Sequence, residues 1–106
     1  MTPLQQSYLP AIAEHAKEWV YWNEENQEFH WESKVRHGDV RVFTTELLQL
    51  MQWIEEKEGL HLIGRHHDYS DALMDITYAR WVSCQSAHWH ERWLAICQVK
   101  GWKTTL

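Results

Sequence analysis

The sequence has few of the residues that interrupt, cross-link or anchor a chain. It contains only two prolines and four glycines in 106 residues, which argues against a long linker or a disordered tail. With two cysteines and no export signal pattern, we expect reduced core thiols and a cytoplasmic location. No apolar run approaches about 18 residues, so we expect no membrane span. The length predicts one compact domain over residues 1–106.

Tryptophan and histidine, by contrast, are unusually frequent. The chain has eight residues of each type, and its hydrophobic share of 44% suits one core. A small domain cannot easily bury eight indole rings, and each buried ring needs a partner for its N–H. We therefore expect several tryptophans at the boundary between core and water, where aromatic side chains also serve in recognition.

Negative charge is concentrated in the first half of the chain. The net charge is −5, and residues 14–58 contain eleven acidic residues against five lysines and arginines. An acidic surface repels phosphate backbones, so we expect no nucleic-acid binding. Such a surface suits a partner protein with a basic surface. The simpler interpretation is that the acidic residues keep a tryptophan-rich domain in solution.

Hydrophobic periodicity in the first half predicts a helix followed by strands. Pro10 suits the first turn of a helix over residues 9–18. Residues 19–22 and 28–31 are rich in aromatic residues and flank a polar turn, which predicts a β-hairpin. A second turn at Gly38 predicts a third strand of the same meander.

The second half predicts mainly helices. We expect a helix over residues 45–58 that stops at Gly59, followed over residues 60–64 by either a short fourth strand or a buried turn. The sequence predicts helices over residues 70–83 and 86–100, each with a serine cap, and the alternative is one long helix across both ranges. The order α-β-β-β-α-(β)-α-α predicts an α+β fold, with a small antiparallel three- to four-stranded meander packed on one face by three to four helices.

A His-Asp pair raises the question of metal-dependent hydrolysis. His66-His67-Asp68 contains the dipeptide found in metal phosphohydrolases, but the other ligands of such a metal shell are not recognisable. The stronger interpretation is that Asp68 or Ser70 caps the following helix.

A second group of residues has spacing that suits zinc. Cys84 and His88 would share a face of a helix, whereas His90 would point away from His88. Two further ligands would come from the preceding loop, namely His61, His66 or His67. The spacing matches no zinc finger, and a core cysteine beside surface histidines is the simpler and preferred interpretation. We predict no metal site and no cofactor.

The predicted hairpin combines aromatic rings with carboxylates. Such groups can hold a cation, an arginine or a basic peptide. Phe29 and Trp31 alternate with polar residues and so favour the core face, whereas Trp22 and Trp102 are better candidates for exposure. The predicted partner- or ligand-binding residues are Trp22, Glu24, Glu25, Glu28, Trp31 and Trp102.

Other charged residues are predicted to be surface features. The adjacent carboxylates of Glu24-Glu25 and Glu55-Glu56 lie in a predicted turn and at a helix end, so we expect them to be solvated. A basic and aromatic group near the end of the sequence either touches an acidic partner or is an ordinary helix end. That group consists of Arg92, Trp93, Lys100, Trp102 and Lys103.

No catalytic set is recognisable, so we predict a small non-enzymatic acidic binding protein that acts through protein–protein interaction. Inhibitors, immunity proteins and accessory proteins of phages or other mobile elements act in this way. One alternative is a small-molecule-binding domain with an aromatic pocket for a flat or cationic ligand. Another is a metal-dependent hydrolase that uses the histidine cluster. A tryptophan-bearing sheet face exposed to water would also favour a homodimer.

Overall fold

Four helices form the body of the part of the protein that the structure describes. The computed structural model describes residues 2–17, 20–23, 25, 28–31, 47–60, 67–78 and 87–106. The elements are α1 (Pro3–His15), β1 (Val20–Asn23), β2 (Glu28–Trp31), α2 (Leu47–Lys57), α3 (His67–Thr77) and α4 (Trp89–Lys100). Helix α4 is central, because it packs against each of the other three helices.

The predicted α+β fold is wrong, because the packed body is helical. Within the described ranges the strands β1 and β2 form one antiparallel hairpin, at the place where the sequence predicts a hairpin. Two short strands offer too small a face to carry a core. The buried core is instead built where helices pack on one another. The predicted third strand and residues 61–64 of the fourth lie outside the described residues.

Helix α1 begins at Pro3, six residues before its predicted start. The Thr2 hydroxyl accepts a hydrogen bond from the Gln5 backbone N–H at 3.1 Å, and the Gln5 side chain accepts one from the Thr2 N–H at 3.0 Å. This reciprocal capping box fixes the start of the helix. Pro3 occupies the first turn, where its missing N–H costs nothing. Pro10 therefore lies inside the helix, not at its first turn.

Helix α2 matches its prediction most closely. The residues of its apolar stripe are buried, namely Leu47, Leu50, Met51 and Ile54. The chain turns away at Gly59, which has a φ of +73°. Leu60 then returns to the core, and its N–H donates to the Glu55 carbonyl oxygen at 2.6 Å. Glycine followed by a buried apolar residue is a common end to a helix.

Helices α3 and α4 are separate, and neither begins at the predicted serine. His88 has an extended backbone (φ −70°, ψ 160°) and is the N-cap of α4. The Glu91 side chain accepts a hydrogen bond from the His88 N–H at 2.8 Å, which stabilises this start. Ser86 lies outside the described residues, and Ser70 lies inside α3. Asp68 lies in the first turn of α3, where a carboxylate interacts favourably with the helix dipole.

All four helices contribute to one core. Its buried residues are Tyr8, Leu9, Ala11, Ile12, Ala16, Leu47, Leu50, Met51, Ile54, Leu60, Tyr69, Ala72, Leu73, Ala87, Trp93, Ala95, Ile96 and Cys97. Cys97 is a buried free thiol, as predicted, and burial raises its pKa to about 12. Cys84 lies outside the described residues.

Gly101 ends α4 in the left-handed region, with a φ of +73°. A Cβ atom at this position would meet nothing within 4 Å, so a substitution is penalised only by the backbone. We expect Gly101→Ala to lower the free energy of unfolding by about 1–2 kcal/mol in urea denaturation. Gly101→Asn should lose less, because asparagine tolerates this conformation. An alanine variant as stable as the original would show that the backbone relaxes without cost.

Candidate interaction surface

The hairpin holds most of the predicted binding residues, and the structure describes its backbone. The register places Trp22 opposite Phe29 and Val20 opposite Trp31. Glu25 is exposed in the turn between the strands, and Glu24 lies outside the described residues. A binding role for these residues stays a prediction.

Trp102, the remaining predicted binding residue, makes its main ring contact within the chain. It is partly buried, and its ring stacks on the His15 ring with the centroids 3.7 Å apart and the planes 9° apart. The Lys100 Nζ atom lies 6.0 Å from the centroid of the Trp102 ring. The tryptophan therefore fastens the segment after α4 to α1.

The predicted basic and aromatic surface group is partly wrong. Arg92 is 3% exposed and Trp93 is completely buried, because both lie on the inner side of the central helix α4. The prediction of two solvated carboxylates at Glu55-Glu56 is wrong for Glu55, which is 4% exposed. Glu56 is exposed, as predicted.

Glu55 joins three helices through a buried polar network. The Arg92 Nη1 atom donates to Glu55 Oε1 at 2.9 Å, and the Tyr69 hydroxyl donates to Glu55 Oε2 at 2.7 Å. Each of α2, α3 and α4 supplies one of these side chains. Because all three are buried, the network fixes how the helices pack and offers no surface to a ligand.

The histidines and cysteine proposed for a zinc site are only partly described. His61, His66 and Cys84 lie outside the described residues, and His88 is exposed. The rings of His88 and His90 are roughly parallel, with centroids 5.6 Å apart, so the prediction that they point apart is wrong. The reason is that His88 precedes the helix and has an extended backbone. Among the described residues, no three His, Cys, Asp or Glu side chains are grouped so that they could hold a metal ion.

The outer face of α3 carries an apolar stripe beside an acidic stripe. Met74 is 57% exposed and Tyr78, one residue beyond the helix, is 65% exposed. Their spacing of four residues places them on one side of the helix. Asp68, Asp71 and Asp75 are exposed along the neighbouring side. We call these five residues the α3 surface.

The α3 surface has charge of one sign. Residues 67–77 contain three aspartates and no lysine or arginine. The inner face of the helix is buried, as predicted for Ala72 and Leu73, and packs on α4. The helix therefore presents its carboxylates and its two large apolar side chains from a fixed position.

Sequence reasoning missed the α3 surface because it followed only the inward-facing positions of this helix. The outward-facing positions of the same helix carry the signal. The outer face of a surface helix is ordinarily polar, so two large apolar residues there, Met74 and Tyr78, indicate an additional contact surface. The buried partner of Glu55 was also missed, since 37 residues separate it from Arg92.

None of the described helices combines the length and hydropathy that a membrane crossing requires. No family model, curated protein or solved structure matches the chain.

Proposed function

We propose that this protein is a small non-enzymatic binding protein, and that its α3 surface docks on a partner protein with a basic surface. The observation that carries the proposal is the pairing of two exposed apolar side chains with three carboxylates on one helix. The acidic stripe selects lysine and arginine on the partner. The apolar stripe would fit a recess in the partner's surface beside those basic residues.

The apolar stripe supplies the affinity in this proposal. Methionine and tyrosine are enriched in the centres of protein interfaces. Complete burial of a large apolar side chain contributes about 1.5–3 kcal/mol. Met74 and Tyr78 are still mostly exposed, so much of this contribution is available to a partner.

In this proposal the acidic stripe attracts the basic partner toward the α3 surface. Complementary charges raise the association rate, and salt reduces this effect. Helix α3 is already held by α4 and by the hydrogen bond from Tyr69 to Glu55. Binding therefore requires little ordering of the backbone, which preserves the affinity gained from the contacts.

The experiment uses the intact protein as bait and compares two pairs of variants. Met74→Ser removes an apolar contact, and Leu48→Ser is its control on the exposed side of α2. Asp71→Asn/Asp75→Asn removes two charges, and Glu14→Gln/Glu56→Gln removes the same number from exposed positions outside the α3 surface and the predicted hairpin site. Proteins that the original chain recovers, and that the α3 variants lose, are purified for titration.

We expect Met74→Ser to weaken binding of the purified partner by roughly tenfold, which corresponds to about 1.4 kcal/mol. The double aspartate variant should slow association and flatten its dependence on salt. Both controls should bind like the original chain. The proposal fails if the original bait recovers nothing beyond the α3 variants, or if the controls weaken binding equally.

A further inference from the structure

The ends of α2 and α4 meet at a surface that combines lysines with tryptophan rings. The Lys100 Nζ atom lies 3.3 Å from Glu58 Oε2, and this ion pair joins the two helix ends. Lys57 directly precedes the glutamate, and its Nζ atom lies 5.2 Å from the centroid of the partly buried Trp53 ring. The surface, which we call the basic end, consists of Trp53, Lys57, Lys100, Trp102 and Lys103.

The basic end includes the part of the predicted basic and aromatic group that stays at the surface. Lys100 and Lys103 are exposed, and Trp102 is partly buried. The Lys100 Nζ atom lies 6.0 Å from the centroid of the Trp102 ring, so a positive charge lies beside this ring as it does beside Trp53. Lysines at the C-termini of helices interact favourably with the helix dipoles, but this interaction requires no indole ring. The two tryptophans therefore favour a contact surface over an ordinary helix end.

The basic end has the chemistry that the α3 surface requires of its partner. The α3 surface presents three carboxylates, and the basic end presents three lysines of opposite charge. The Met74 thioether interacts favourably with aromatic rings, and the Tyr78 ring packs well against an indole. The rings of Trp53 and Trp102 supply such partners. Both the charged and the apolar parts of the α3 surface therefore have a counterpart at the basic end.

We propose that the α3 surface of one molecule docks on the basic end of a second copy of this chain. This inference rests on the proposed function and names the partner. The basic end comes from α2, from α4 and from the residues after α4, so one molecule can use both surfaces. Because the two surfaces differ, the contact is head to tail, and copies assemble into chains or rings and not into a symmetric pair.

Salt should govern this association in two ways. The net charge is −5, so whole molecules repel one another at long range. Charges are screened beyond about 10 Å at about 0.1 M salt, which suppresses this repulsion and retains the short contacts between lysine and aspartate. At about 1 M salt the screening length falls to about 3 Å, and these contacts weaken as well.

Sedimentation equilibrium of the intact chain measures the association. One chain has a mass of 12.8 kDa. At about 0.1 M salt we expect the average mass to rise above this value as the protein concentration increases from micromolar to millimolar. At about 1 M salt the average mass should return toward that of one chain.

Two double variants identify the surfaces in contact. Asp71→Asn/Asp75→Asn changes the α3 surface, and Lys57→Gln/Lys103→Gln changes the basic end but keeps the ion pair of Lys100. Each variant alone should raise the dissociation constant of self-association about tenfold.

An equimolar mixture of the two variants is the matched control. The aspartate variant keeps an intact basic end, and the lysine variant keeps an intact α3 surface, so the mixture should associate again. Only one contact per pair is then intact, so the assembly should stop at two chains. Recovery in the mixture also shows that both variants are folded.

Three results would overturn the proposal. The first is a mass of one chain at every concentration at about 0.1 M salt. The second is a lysine variant that associates as strongly as the original chain, and the third is a mixture that stays as dissociated as its components.

The same measurements distinguish this inference from the proposed function. If the chain does not self-associate but Met74→Ser loses a different protein in the bait experiment, only the second copy is rejected as the partner. Self-association that persists in the aspartate variant would contradict the role of the α3 surface, and so would count against both proposals.

Discussion

Arg92→Met should lower the free energy of unfolding by about 3–5 kcal/mol. The substitution removes the cation that donates to Glu55 Oε1 at 2.9 Å and leaves the carboxylate 4% exposed, with the Tyr69 hydroxyl as a neutral donor. Methionine keeps most of the side-chain volume, so the loss reports the missing charge. Urea denaturation of the purified variant gives the value.

Two further variants separate a buried ion pair from a general effect of losing a base. Lys100→Met removes the partly exposed pair with Glu58 at 3.3 Å, and it should cost less than about 1 kcal/mol. Glu55→Gln/Arg92→Met leaves no buried charge in the pair, so its loss should be smaller than the sum of the single losses. A cost for Arg92→Met no larger than for Lys100→Met would refute the inference of an energetically coupled network.

Trp93→Ala should lower the free energy of unfolding by about 3–5 kcal/mol. The indole is completely buried in the central helix α4, and its N–H donates to the Thr104 carbonyl oxygen. The variant leaves a cavity in the core and removes the hydrogen bond from Trp93 to the segment after α4. Thermal and urea denaturation measure the loss.

Two variants control for this result. Trp93→Phe keeps a large ring but loses the N–H, so it should cost less than the alanine variant. Leu4→Ala removes an apolar side chain that is 64% exposed, and it should change stability by less than about 0.5 kcal/mol. If Trp93→Ala were as mild as Leu4→Ala, the core would have to repack around the missing ring.

Much of the local structure could be predicted from the sequence, but the fold class could not. The stripe from Leu47 to Ile54 and the stop at Gly59 are patterns within one helix, so periodicity and turn chemistry identify them. Alternation likewise indicated strands near Trp22 and Trp31. It could not show that the described helices bury one another, because this depends on contacts between distant segments.

The start of α1 shows a different limit. Pro3 and Pro10 both suit a first turn, and the choice depends on the capping box of Thr2 and Gln5.

The wrong prediction of a solvated Glu55 has a similar origin. Adjacent glutamates near a helix end are usually solvated, and only the distant Arg92 makes burial of one of them tolerable. The predicted hairpin site depends on side chains that the structure does not describe. The α3 surface, by contrast, could have been predicted from the outward-facing positions of a predicted helix.

The central position of α4 has a consequence for synthesis. This helix contacts α1, α2 and α3, yet it follows all of them along the chain. Ribosomes add roughly 5–20 residues per second, so several seconds pass between the synthesis of α1 and the synthesis of α4, the helix that completes its burial. During this interval the apolar stripes of the nascent chain are exposed to chaperones and proteases. A ribosome that stalls before Trp89 would leave a product without a finished core, which quality control can recognise and remove.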